Sequence, residues 1–564
     1  MKAPVTLNSN LIGAVKLFGA DDSLLLLGDG KEDESFLGVE SLTMAGENWQ
    51  LDGDSDFNNI QIGGDATIAR IGTLGGSGLL IGTVTNSGCV APGNSIGKLT
   101  VNGDFIQDAT GVLEIEVGDG VADLLTVTGT ADLAGSLVVL PYGYATNGSY
   151  HILDAQNIFG EFESLNSSAV LHVAITPTDS NTLMLDVDRR SYFSLSSPYT
   201  RSIATTLDTI RPVAHGDLAT VLNTLDLTMT AARLDASLIA MTPRIAGIST
   251  AISLDEAKQC LRQIDTHINH HYLFKSNPSS KGANNSSPTL WFSAIGKRKD
   301  FGSNGFYNKT RQSQAGFILG LDHVDDNLLV GAAMSATKSR YSVTGSAADG
   351  ENETFGGYLY AGWHDSRSAT GLHFDAIINS SHIAMTYERD ITFMQRDATA
   401  DHTAYDFAGL VSCGYTMTAS DWIFDPVLSL SGGTLREEDF TEKDANGLNL
   451  SIDSQRSHFL QSQLSCRIGR QIYCQDMILQ TTLYSEWSHE FNSDGETIKS
   501  QFVDTQLPFN TAGRDAAENS LLVGAEIRAL SSDNCACLLR YEYCQQDNRN
   551  NVSHGVNFHI AVQF

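Results

Sequence analysis

The last ten residues, GVNFHIAVQF, alternate strictly. Val556, Phe558, Ile560, Val562 and Phe564 fall on one face, and Asn557, His559, Ala561 and Gln563 on the other. That period belongs to a β-strand between two unlike surroundings. It recurs from residue 291 onward: Leu372, Phe374, Ala376 and Ile378 oppose His373, Asp375 and Asn379, and Leu521, Val523, Ala525 and Ile527 oppose Gly524, Glu526 and Arg528. Leu464, Cys466 and Ile468 likewise oppose Gln461, Gln463 and Arg467, while Tyr405, Phe407, Gly409, Val411, Cys413 and Tyr415 make a further face. Roughly twelve such segments appear, each near the ~10 residues that a tilted strand needs to cross a bilayer.

Upstream the period changes. Residues 60–190 read as short strands broken by Gly, Asn and Asp, with Leu99 and Val101, Leu125 and Val127, and Leu137 and Val139 spaced as rungs of a solenoid. One rung cannot bury its own apolar side, so neighbours must stack. Residues 200–275 turn helical, with a stripe of Leu218, Leu222, Leu225, Met229, Ala232 and Ala236. Ser253 and Glu256 have capping-box spacing and predict the start of a second helix through Ala257, Leu261, Ile264 and Ile268. KSNPSSKGANNSSPTL then reads as a linker.

An alternating strand can face a soluble core or lipid, and the connections choose between them. Alternate turns are short (HVDDN, HDSRSAT, TASD, SSDN), whereas the others are long and polar (DFGSNGFYNKT, TGSAADGENET, ERDITFMQRDATADHT, REEDFTEKDANGLNLSIDS, NSDGETIKSQFVDTQLPFNTAGRDAAE). That asymmetry predicts an outer-membrane barrel. The densest apolar run, residues 24–27, is far too short for a membrane helix, so a closed barrel is the remaining way to satisfy backbone groups in lipid. An even strand number places both barrel ends on the short-turn side, so the preceding helix must deliver the chain there. The net charge of -31 argues against nucleic acid and against anionic headgroups as partners. With 11 prolines and 18% charged residues in 564, the chain reads as ordered β-rich protein. The eight cysteines are scattered, and sequence alone leaves their pairing open.

The segment GSGLLIGTVTNSGCVAPGNSIGKLTVNGDF resembles the end of the passenger domain of type Va autotransporters, whose phrase APGxSxGxLTVxGD falls on residues 91–104. ADLLTVTGTADLAGSLVVL, YHILDAQNIFGEFESL, LWFSAIGKRKD and QAGFILGLDHVDDNLLVGAAMSATKSRY follow in that family's order, and the terminal phenylalanine fits as well. The resemblance covers residues 75–564. It implies an all-β chain: a right-handed parallel β-solenoid passenger over 1–190 with an autochaperone-like segment, a helical connector with pore helix and linker over 191–289, and a 12-stranded antiparallel transmembrane β-barrel over 290–564. It also implies type V secretion, with the barrel translocating and anchoring its own adhesin-like passenger at the bacterial cell surface. The autochaperone residues would be Pro92, Gly93, Ser95, Gly97, Gly103 and Asp104. The terminal strand, with Phe564, Val562, Ile560, Phe558 and Val556, would be read by the barrel-assembly machinery, with periplasmic chaperones, outer-membrane lipid and an unknown surface ligand as further partners. The alternative is an outer-membrane channel or adhesin barrel with a β domain and no self-export step; a soluble secreted enzyme is a third reading.

Individual residues refine this picture. Asp375, Arg467, Glu526 and Arg528 are expected to face the pore lumen and pair with the helix, and Trp291, Trp363, Trp422, Trp487 and Tyr415 to form interfacial girdles. DGDSDF at 52–57 has the look of a protease nucleophile phrase and of a calcium loop. Asp56 and Phe57 stand where that phrase has Gly-Ser, no Glu closes the loop, and a polar solenoid turn is expected there. His267 and His271 have metal-pair spacing, but no Glu completes an HExxH, so no metal, no cofactor and no enzymatic activity are expected. Asn284 and Asn285 could mark self-cleavage, with a linker as the expectation. The start, MKAPVTLNSNLIGAVKLFGADDS, lacks a continuous apolar signal region, which suggests a chain whose beginning is missing.

Overall fold

The computed structural model describes all residues except 1–4, 8–9, 19–21, 46–47, 63–71, 94, 178–179, 275–287, 326, 366–369, 475–476, 532–534 and 548–550. They form two compact units, Met1–Leu238 and Ile239–Phe564.

The first unit is a solenoid of parallel strands in two sheets, because its apolar pairs recur at a rung's spacing and can be buried only against the next rung. In one sheet Leu80 pairs with Val101 and Val101 with Val127; in the other Leu74 pairs with Val90, Val90 with Leu113 and Leu113 with Leu137. All of these side chains are buried, each contributing about 1.5–3 kcal/mol of transfer free energy. The stack ends where Gly148–Asp154 pairs antiparallel with Thr182–Arg189, which in turn pairs antiparallel with Leu171–Pro177.

Four helices follow: α1 (Tyr192–Leu195), α2 (Arg201–Ile210), α3 (Gly216–Asp226) and α4 (Ala231–Ala240). The predicted apolar stripe breaks after Leu225, where α3 ends. Met229, Ala232 and Ala236 are exposed, and Leu234 and Leu238 take the buried positions of α4. Asp226 organises this region. Its carboxylate accepts from Arg189 at 2.8 Å, from Arg211 Nε at 2.9 Å and from the Tyr192 hydroxyl at 2.5 Å; Asp226, Arg211 and Tyr192 are buried and the Arg189 side chain is 9% exposed.

In the second unit twelve antiparallel strands close into a barrel. We number them β1 (Pro288–Phe301), β2 (Thr310–Asp325), β3 (Leu328–Val343), β4 (Asp349–His364), β5 (Gly371–Ile391), β6 (Arg396–Ala419), β7 (Trp422–Glu437), β8 (Gln455–Tyr473), β9 (Met477–Glu490), β10 (Asn519–Ser531), β11 (Cys535–Gln546) and β12 (Val552–Gln563). Strands of 12 to 24 residues exceed the expected ten, so the hairpins project past any apolar band. Two stretches read as loops, TGSAADGENET and ERDITFMQRDATADHT, are largely strand. The two longest connections, 438–454 and 491–518, fold into a four-stranded sheet of Phe440–Thr441, Leu450–Ile452, Ile498–Phe502 and Phe509–Thr511 around buried Leu448, Leu450, Ile452, Phe502 and Phe509. Helix α5 (Arg244–Phe274) belongs to this unit and contributes Ala257, Leu261, Ile264 and Ile268 to the barrel's internal cluster.

Candidate functional site

Helix α5 lies inside the barrel, and its direction is fixed by what each end touches. Near its start, the Arg244 guanidinium donates to the Phe306 carbonyl, and a Cβ on Gly247 would sit 2.5 Å from the Tyr307 hydroxyl, both residues of a long-loop connection. Near its end, His267 Nε2 meets Asp322 at 2.6 Å and His270 Nε2 meets Glu526 at 2.8 Å, toward the short-turn end. The helix therefore enters at the long-loop mouth and runs toward the short turns, where β1 begins. Delivery of the chain to the short-turn side is as expected.

Nearly every turn of α5 is matched to a group on the wall. Ser249 donates to Asn352, whose amide donates back to Ser253, and Thr250 donates to Glu437 at 2.6 Å. Asp255 accepts from Lys297 at 2.5 Å and Lys299 at 2.8 Å, and Lys258 pairs with Glu490. Arg262 lies 3.3 Å from Glu542 and 3.5 Å from Glu486; Asp265 accepts from Ser412 at 2.9 Å. From residue 249 to 270 these matches cover ~32 Å of helix, about the thickness of a bilayer's hydrocarbon core. Between them Ala257, Cys260, Leu261, Ile264 and Ile268 pack on Ile295, Ile318, Ile377 and Leu410. At the long-loop mouth the helix leaves a pocket of ≈ 100 Å³, lined by Thr250, Asp255, Lys299, Gln455 and Arg514 among others.

The lumen residues singled out from sequence all face inward. Arg467 lies 3.8 Å from Asp265 and 3.6 Å from Asp425, Arg528 donates to the His270 carbonyl at 2.8 Å, and Glu526 joins His270 to Arg540. Asp375 reaches the helix indirectly, through Ser412 at 3.1 Å. Two expectations are overturned here. Ser253 and Glu256 do not cap a helix; they lie within α5, and Glu256 instead accepts from Ser339 and Thr354 on the wall. Trp291 is not a girdle residue: it is 1% exposed, stacks on His267 at 4.2 Å and donates to the Tyr360 hydroxyl at 2.7 Å. Strand parity explains this, since Leu290 and Phe292 face outward on either side of it. Sequence reasoning missed Asp322, Tyr360 and His559, whose inward parity was the available signal.

The outward face is aliphatic and aromatic. Leu428, Leu483, Ile527, Leu539 and Val556 are all more than half exposed, and outward neighbours such as Phe374, Phe424, Leu430, Ile468 and Phe558 are exposed as well. Trp363, Trp422 and Tyr415 lie outward at the short-turn ends and Trp487 toward the long loops, in interfacial positions. The terminal strand β12 closes the barrel on β1, with Phe558 opposite Ala294, Ile560 opposite Phe292 and Val562 opposite Leu290, and the Phe564 amide donates to the Pro288 carbonyl at 3.0 Å.

In the solenoid, the APGxSxG phrase is a turn pinned by the next rung. Gly93 (φ +92°) has no room for a Cβ, and Ser95 shares its left-handed backbone. The Gly97 amide donates to Asp123 at 2.8 Å, and the other oxygen of Asp123 accepts from the Glu116 amide. Burial pushes the Asp123 carboxyl up to about 7, against the lowering effect of those two amides. Gly103 packs on the Gly82 carbonyl, and Asp104 accepts from the Thr130 amide at 2.8 Å. Pro92 is buried at the end of its strand. Ser55 is buried and accepts from the Phe36 amide. The side chain of His271, and Asn284 and Asn285 with the linker, lie outside the described residues. All eight cysteines are free thiols.

The autotransporter β-domain family matches residues 290–542. Among solved structures, the translocator domain of NalP from Neisseria meningitidis is similar at 12% identity, over 57% of this chain and 99% of that one, with a TM-score of 0.45. The β domain of Bordetella BrkA aligns at 18% identity over 50% and 100% (TM-score 0.37), and the transport unit of AIDA-I from Escherichia coli at 13% over 53% and 98% (TM-score 0.36). No curated protein matches the chain.

Proposed function

Because its barrel belongs to the autotransporter β-domain family, the chain is an outer-membrane autotransporter of the type V route, and we propose that this is its finished state, with the passenger outside and α5 left as the trailing segment in the pore. The observation that carries this is the path of α5. A chain that enters the lumen at the long-loop mouth and ends at the short-turn side leaves everything before it on the outer face. The matched pairs along its length suit a segment that stops at one register. Stacking of rungs from residues 80–190 supplies the free energy that makes return unfavourable, since no ATP acts outside the membrane.

The passenger acts by binding and not by catalysis. Support comes from Ser55, whose hydroxyl is turned inward onto a backbone amide. The barrel-assembly machinery reads the last strand before closure, when β12 is an open apolar edge that invites strand addition. Periplasmic chaperones hold the chain before that step. A plain channel is disfavoured because α5 fills the lumen with specific pairs.

Protease added to intact cells tests the arrangement. The proposal expects residues before α5 to be shaved while the barrel survives; a first unit that survives until the outer membrane is breached would overturn it.

A further inference from the structure

The outward face of the barrel carries its charges in sectors. At the long-loop ends of β1–β3 the outward residues include Arg298, Arg311, Lys338 and Arg340, with Asp300 as the carboxylate among them. At the same ends of β4–β6 they are Asp349, Glu351, Glu353, Glu388, Asp397 and Asp401, without a lysine or arginine. The cations of β1–β3 thus gather just above the aliphatic band, where Lys338 bonds Glu351 and Glu353 and Arg311 lies 3.5 Å from Asp300; a second outward pair, Arg436 and Arg456, stands on β7 and β8.

The register makes the β1–β3 sector a shaped site. Arg298 pairs with Ser313 and Ser313 with Arg340, so two arginines flank one serine on adjacent strands. Their backbones are ~10 Å apart, close enough for both guanidinium groups to reach one anion over the short serine. Arg298 is exposed, and among the described residues it has no hydrogen bond or ion pair. The Arg340 side chain is 72% exposed and bonds Glu351 through Nε at 2.7 Å, while Arg311, half exposed, stands one row above. One row below lie Gly296 and Ala315, and below them Ala294 beside Phe317 and Ala336. With no side chain on Gly296 and only methyl groups on Ala315 and Ala294, the outward surface is low there, a shallow furrow bounded by Val556 and Phe558 on β12, Phe317 on β2 and Lys338 on β3.

Guanidinium pairs bind phosphate bidentately, and a furrow beneath them suits an acyl chain. We propose that this sector is a binding site for a phosphorylated, acylated sugar lipid of the outer leaflet, with its phosphate across Arg298, Ser313 and Arg340 and a chain over Gly296 and Ala315. Net charge alone would repel an anionic headgroup, whereas binding at this site would be governed by the local charge. The proposal rests on the outer-membrane reading.

The test uses the full chain in mild detergent, titrated with fluorescent lipid A, dephosphorylated lipid A and inorganic phosphate. The triple variant R298S/R311S/R340S is compared with R436S/R456S, which removes outward cations from another sector. Expected are binding of lipid A weakened about tenfold or more in the triple variant, little change in R436S/R456S, weak binding of the dephosphorylated lipid and no displacement by millimolar phosphate. The proposal is overturned if the triple variant binds within about twofold of the parent, if R436S/R456S loses as much, if the dephosphorylated lipid binds equally well, or if free phosphate displaces the lipid. A heat-dependent gel shift of each variant reports barrel closure separately, so a failed outer-membrane reading is distinguishable from a failed lipid site.

Discussion

Replacing Asp255 by Asn should loosen the pore helix. The carboxylate bridges Lys297 and Lys299, whose side chains are 9% and 5% exposed, while Asp255 itself is 20% exposed toward the mouth pocket. Asn keeps the size and removes the charge, leaving two buried ammonium groups uncompensated. Breaking such a set costs about 3–5 kcal/mol, and the partial exposure of Asp255 favours the lower end, about 3 kcal/mol. That amounts to roughly two decades in the equilibrium between a seated and a released upper helix. Single-channel recording of the full chain in a planar bilayer reads it directly: the parent should be quiet and D255N should flicker open about a hundredfold more often. The combination D255L/K297M/K299M removes both signs at once and should restore quiet, since an apolar set of similar volume replaces a buried ion pair at little cost. A D255N barrel as quiet as the parent, or a triple variant as noisy as D255N, would refute the claim that this pairing holds the helix.

Asp226→Ala should unfold the helical end of the first unit in preference to the solenoid, since Arg189 and Arg211 lose their shared carboxylate at about 3–5 kcal/mol; limited proteolysis between residues 192 and 240 measures it. Gly103→Ala places a Cβ 2.2 Å from the Gly82 carbonyl, and should cost about 1–3 kcal/mol of rung stacking, seen as a lower denaturant midpoint of the passenger and less of it at the cell surface. Asp123 gives a pH dependence. Its folded value of about 7 lies above the ~3.9 of an unfolded aspartate, so the folded state holds the proton more tightly. Its contribution is complete below pH ~4 and is lost as pH rises through about 7, by at most about 4 kcal/mol. Denaturant midpoints of the passenger should therefore fall between pH 5 and 8, and Asp123→Asn should flatten that slope; a midpoint that rises with pH in the parent would contradict it.

The alternation of single strands made the barrel, and the inward placement of Asp375, Arg467, Glu526 and Arg528, readable in advance, because parity on a strand is a property of the chain alone. Trp291 shows what happens when residue type is put ahead of parity: its neighbours Leu290 and Phe292 placed it inside, and only its aromatic character suggested the interface. Ser253 and Glu256 were ambiguous for a different reason. The spacing that defines a capping box is also one turn of helix, so two residues on a common face reaching for Asn352, Ser339 and Thr354 look the same in sequence. The extended hairpins of β5 and β6 were hidden because outside lipid nothing demands an apolar face, and the alternation fades although the ladder continues. Asp226 was invisible, since its partners lie 37, 34 and 15 residues away and only the folded chain gathers them.

The central claim is that the apolar face of the barrel is bathed in hydrocarbon. Nitroxide labels placed singly from Phe424 to Leu430 on β7, in full-length protein reconstituted into bilayers, test it most directly. The account predicts high collision rates with oxygen at 424, 426, 428 and 430 and low rates with oxygen at 423, 425, 427 and 429, where side chains face the packed lumen. Collision with a water-soluble nickel reagent at Leu428, equal to that at an exposed loop, would contradict it.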